Sequence, residues 1–74
     1  MKLTHRALVD LLQRAYSAEK AAAFAYQGHA NSLKSAEDKI AAKKIEDDEW
    51  YHRKEVLEIM NQYEVKVSKN YECR

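Results

Sequence analysis

Apolar residues recur at intervals of three and four along the first half of the chain. Leu8, Leu12, Ala15, Tyr16, Ala22, Ala23, Tyr26, Ala30 and Leu33 fall on one stripe of a helix. Positions 18–25, Ala-Glu-Lys-Ala-Ala-Ala-Phe-Ala, are almost all strong helix formers and support the same element. Thr4 is the expected N-cap, and Gly28 and Asn31 mark a fraying end. A turn-like cluster at 31–34 follows. Ser35 with an acidic Asp38 three residues on is close to a capping box and predicts the start of a second helix.

The second helix carries Ala42, Ile45, Glu49, His52, Val56, Ile59 and Tyr63 at alternating three- and four-residue spacings, a heptad-like seam expected to face inward. The pattern fades after Glu64. Residues 1–64 therefore form one unit, and 65–74 a C-terminal tail that is either extended or an edge strand. Two helices joined by a short loop make an antiparallel hairpin. So small a chain rarely draws more than about 3–5 kcal/mol from its own core. A further apolar flank, Val9 and Leu11 with Trp50 and Leu57, offers a surface for a second hairpin. The expected fold is all-α: a two-helix hairpin that dimerises into a four-helix bundle, alone or as a ring of dimers.

Composition narrows the function classes. A chain of 74 residues with no proline and one glycine lacks the punctuation of strands and hairpin turns. Thirteen basic against twelve acidic residues leave a net charge of +1, too weak a field to point to nucleic acid. Cys73 alone builds neither a disulfide framework nor a thiolate metal site within one chain. No segment approaches the roughly 20 apolar residues of a membrane span, and no signal-like region opens the chain. A cytoplasmic protein is expected.

The informative residues are those that interrupt the seams. Glu19 sits at the centre of the first stripe, seven residues from Leu12 and from Tyr26. Glu49 and His52 form Glu-x-x-His between Ile45 and Val56 on the second. An unpaired carboxylate or imidazole costs kilocalories to desolvate, so these groups require compensation. Glu19 and the Glu49/His52 pair lie at similar distances from the turn, hence at one level of an antiparallel hairpin. Doubled by a two-fold axis, they supply four carboxylates and two imidazoles, the ligand inventory of a dinuclear iron or manganese site. Several neighbours carry two readings each. Asp48 is either an acceptor for the His52 N–H or a solvated acid, Glu46 either an extra carboxylate of the site or a bystander, and Tyr16 and Tyr26 either core aromatics or hydrogen-bond partners of the metal. His5 and His29 are expected to face solvent.

Glu19, then Glu49 and His52 thirty residues on, resembles the half-repeat of the ferritin-like diiron-carboxylate proteins. Residues 19–29, Glu-Lys-Ala-Ala-Ala-Phe-Ala-Tyr-Gln-Gly-His, are similar to the segment of demethoxyubiquinone hydroxylases that carries a ligand Glu, an Ala-rich turn and Tyr-x-Gly-Gln, with His29 where those enzymes have Gln. The likeness covers about residues 8–63, one half of the family's four-helix core, as in the short ferritin-like proteins packaged in encapsulins. It implies two iron ions per dimer, with manganese possible, held by Glu19, Glu49 and His52 of both chains. It also implies oxidoreductase character, either oxidation of ferrous iron or activation of dioxygen. The rival expectation is a helical oligomerisation module without metal, whose Glu/His cluster satisfies itself by hydrogen bonding.

Overall fold

A computed structural model describes residues 1–73. It is an antiparallel hairpin of two equal helices, α1 (Arg6–Ser32) and α2 (Ala36–Gln62), followed by a short α3 (Lys69–Glu72). No strand occurs among the described residues, and no helix there is long and apolar enough to cross a membrane. The hairpin fold is the one its periodicity predicts. His5, rather than Thr4, caps α1: its ring nitrogen accepts from the Leu8 amide at 3.4 Å. Helix α1 also runs through Gly28 and Asn31 to Ser32, where the Ser32 hydroxyl donates to the His29 carbonyl. Ser35 caps α2 as expected, accepting from Asp38 N at 3.2 Å.

The tail is not a strand: residues 65–68 have no regular structure and lead into α3. Tyr63 ends α2 and Glu64 turns into the left-handed region with φ 58°. Glu64 N–H then bonds Asn61 O at 3.2 Å and Val65 N–H bonds Met60 O at 2.8 Å, the paired bonds of a Schellman motif. Met60 (fully buried) and Val65, the two residues joined by the longer of these turns, are among the buried apolar residues, with Ala23 and Ala42. The motif normally places glycine where this chain has Glu64, which hides the stop signal from the sequence. Beyond it the chain returns across α1. Gln13 donates to Lys66 O at 2.9 Å, the Tyr71 hydroxyl bonds Asp10, and α3 lies against α1. Arg74, the last residue of the expected tail, lies outside the described residues.

The inward face of α2 is rotated from the expected seam. Ala42, Glu46 and Met60 are buried and Arg53 is mostly covered, whereas Ile45 (39%), His52 and Ile59 (44%) stay exposed. The physical reason is that the polar residues of the true inner face find partners. Glu46 accepts from Trp50 Nε1 at 2.8 Å and pairs with Lys43, and Trp50 stacks edge-on against Phe24 at 5.4 Å. The flank expected to await a second hairpin is accordingly half-covered within the chain at Val9, Trp50 and Leu57, with Leu11 still exposed. The molecule measures 47 × 21 × 15 Å, and its smallest dimension is little more than one helix diameter. The long helices thus form a single layer.

Two stability predictions follow from these contacts. Met60→Ala removes the one large, fully buried side chain, and a loss of about 2–4 kcal/mol is expected in urea unfolding followed by circular dichroism. Glu64→Gly relieves a left-handed backbone at a non-glycine residue and is expected to stabilise by about 0.5–1 kcal/mol in the same assay.

Candidate metal centre

Glu19 and Glu49 are each fifteen residues from Lys34, the middle of the 33–35 connection. Equal distance along two antiparallel helices is equal height, so the hairpin brings the Glu19 carboxylate to the Glu49/His52 face of α2. His52 Nδ1 lies 3.7 Å from Glu19 Oε2 and 3.9 Å from Glu49 Oε1. One ligand-type atom from each of the three residues falls within a 4.8 Å group. The three side chains singled out by pattern-breaking are therefore neighbours in space.

Their environments differ. The His52 side chain is 52% exposed, whereas Glu19 and Glu49 are largely covered. Glu19 Oε2 is completely shielded and accepts no hydrogen bond from any described group, and His52 Nδ1 stands beyond hydrogen-bonding range. Burial, and after it a side-chain hydrogen bond with Glu49 and that group's charge, pushes the Glu19 carboxyl above its ordinary value of 4.5, while His52 acts in the opposite direction. The arrangement thus makes the ionised form of Glu19 less favourable than that of a carboxyl in water. A carboxyl whose folded pKa is raised contributes stability below its unfolded pKa and loses it as pH rises through the folded one. An added cation reverses that preference by neutralising both carboxylates.

The neighbours with two readings resolve as follows. Asp48 pairs with Lys44 at 2.9 Å, not with His52. Glu46 is committed to Trp50 and Lys43. Tyr16 packs its ring under the Arg53 guanidinium at 3.7 Å, and Tyr26 is 37% exposed. His5 and His29 are exposed.

A second polar centre, which the sequence pattern does not announce, occupies the other side of the interhelical seam. The Glu72 carboxylate accepts from Arg53 at 2.5 and 3.0 Å, from Ser17 Oγ at 2.6 Å and from Lys20 Nζ at 3.3 Å. The Arg53 and Ser17 donors, with Lys20, hold this carboxyl down to about 2 against an opposing effect of burial. Ser17, Lys20 and Arg53 offered no signal in sequence because their common partner lies 19 to 55 residues away.

No protein-family model, curated protein or solved structure matches the chain. The site is interpreted from its own chemistry.

Two pH-linked outcomes are expected. Glu72, depressed from 4.5 to about 2, contributes stability that is complete above about pH 4.5 and disappears as pH falls towards 2. Its contribution is on the order of 2 kcal/mol once residual exposure is allowed for, and acid titration of the melting temperature should show a step that Glu72→Gln lacks. Glu19→Gln is expected to raise the melting temperature of the metal-free protein at pH 7, because it removes a charge that the site disfavours. A lowered temperature would contradict that reading of Glu19.

Proposed function

We propose that the chain is a non-haem carboxylate metalloprotein. Glu19, Glu49 and His52 form half of a site for two iron or manganese ions, shared between two copies of the chain. The observation that carries this reading is the shielded, unpartnered Glu19 Oε2 beside a second carboxylate and an imidazole. When Glu19 is ionised, that oxygen is a buried acceptor with no donor among the described residues, a state that buried polar atoms seldom keep. A cation accounts for the orphaned oxygen and for the packing of two carboxylates in one place. Two carboxylates and one imidazole per chain suit iron or manganese better than the softer, thiolate-preferring metals.

One chain supplies three ligands, and a two-fold partner completes the set. The surface around the cluster supports such a partner. Ile45, His52 and Ile59 repeat at seven-residue spacing along α2, while Leu8 (46% exposed) and Tyr26 lie on the Glu19 stripe of α1. Leu8 lines a groove with Ile59 at one end of the hairpin, and Tyr26 lines one with Ile45 at the other. Exposed apolar groups thus flank the cluster on both sides, the arrangement expected of a face buried against another copy.

In this reading Glu19, Glu49 and His52 would hold the ions, the two carboxylates supplying charge and the imidazole a neutral nitrogen. Bound there, an iron pair supplies one- and two-electron chemistry suited to oxidising ferrous iron or activating dioxygen. The chain's own part is to hold three ligands at one level and to shield the inner oxygen of Glu19 from water. The half-exposed His52 ring leaves the approach to the site open on the face that the partner would cover.

Metal analysis of protein purified without chelators tests the proposal, with about one iron or manganese per chain expected. Glu49→Ala should reduce loading strongly while leaving helicity intact. Sedimentation should give a dimer or larger species in which metal raises the melting temperature, by up to about 2.7 kcal/mol of added stability at one hundred times Kd. A metal-free oligomer that ignores added ferrous iron would leave the interaction-module reading in its place.

A further inference from the structure

Apolar packing between the helices is poorly suited to fixing their register. The buried apolar residues of the long helices are Ala23, Ala42 and Met60, two small and one flexible. Alanine contacts slide past each other with little steric penalty, a slip of one residue is only about 1.5 Å, and the edge-on Phe24–Trp50 pair adds a larger apolar contact between the helices. The interhelical polar contacts are far more demanding. Arg53 on α2 donates to the Tyr16 carbonyl of α1 at 3.0 Å, stacks on the Tyr16 ring at 3.7 Å and forks onto both oxygens of Glu72. The same carboxylate takes Ser17 and Lys20 of α1, and Lys20 also donates to the Glu72 backbone carbonyl at 2.7 Å. Glu72 is therefore held by both long helices at once.

The level of this contact is the level of the metal centre. Ser17 and Lys20 straddle Glu19 in sequence, and Arg53 follows His52 directly. A bidentate guanidinium–carboxylate pair tolerates little displacement, and neither does the distance of 3.7 Å between His52 and Glu19.

We propose that Glu72 is a positioning residue for the Glu19/Glu49/His52 centre. Delivered by the C-terminal segment into the gap between α1 and α2, its carboxylate clamps Arg53 to Ser17 and Lys20 and so sets the axial register that brings the three ligands together. The proposal rests on the metal reading of that centre. Without Glu72, Arg53 and Lys20 face each other as two uncompensated cations across the seam, and the helices shift to separate them. The C-terminal segment is what prevents that shift.

The test compares full-length variants by ferrous-iron and manganese titration under anaerobic conditions. Glu72→Gln should bind on the order of tenfold more weakly than the parent, the smaller of the losses seen when groups that orient metal ligands are removed, at unchanged helicity. Glu72→Asp should recover part of the loss. Asp10→Asn takes the charge from another of the tail's anchors, the Asp10 carboxylate that accepts from Tyr71, and should leave affinity near the parent value. Should Glu72→Gln fail to fold, Ser17→Ala takes away one donor of the clamp, and its affinity should fall below the parent's. Parent-like affinity in Glu72→Gln, or in Ser17→Ala where Glu72→Gln does not fold, overturns the proposal. So does an equal loss in Asp10→Asn.

Amide exchange on the metal-free chains separates this proposal from the reading beneath it. Glu72→Gln should speed exchange at residues 17–23 and 49–53 more than Asp10→Asn does, and equal exchange overturns the clamp. A parent that binds neither metal yet shows this exchange pattern defeats the metal reading and leaves the clamp standing.

Discussion

The structure depends on one carboxylate shared by two helices. In a hairpin one layer thick, with Ala23, Ala42, Met60 and Val65 as its buried apolar residues, hydrophobic burial pulls the helices together without choosing where along their length they meet. The Glu72–Arg53 pair and its donors Ser17 and Lys20 make that choice, because directional, charge-assisted bonds have sharp geometric optima where small apolar contacts have shallow ones. The short α3, four residues long and too small to be stable by itself, is ordered by the same bonds. It is also held by the Ser68 cap on Tyr71 N and by the Tyr71–Asp10 bond.

The two long helices and their antiparallel arrangement were legible because they rest on local signals: the three-and-four periodicity, the Ala-rich run and the Ser35 cap. The grouping of Glu19 with Glu49 and His52 was legible for a different reason. Antiparallel geometry converts equal sequence distance from a turn into equal height, so three residues flagged on separate helices could be placed together without coordinates. The facing of α2 was harder, since the expected seam left out Glu46 and Arg53. In the structure each is held inward by a specific partner, Trp50 for one and Glu72 for the other. The tail escaped detection because its turn uses Glu64 in a conformation that normally announces itself through glycine.

Charge is sorted across the seam. On one side Arg53 and Lys20 surround a single carboxylate, a net excess of positive charge that holds Glu72 ionised far into acid. On the other, Glu19 and Glu49 share one imidazole, and burial together with the neighbouring carboxylate raises the Glu19 carboxyl above its ordinary value. The cationic side is satisfied by a segment of the chain itself. The anionic side has no such partner among the described residues, and its inner oxygen accepts no bond.

That asymmetry bears on how the two centres would act on each other. A cation between Glu19 and Glu49 removes the repulsion that loosens the anionic side, and so favours the register that Glu72 also favours. By linkage, whatever Glu72 adds to the affinity for the cation, the cation returns to the docking of the C-terminal segment. The strength of that exchange is bounded by how far the helices move when either partner is absent. In a core lined by alanines, that distance is set by the polar groups rather than by packing.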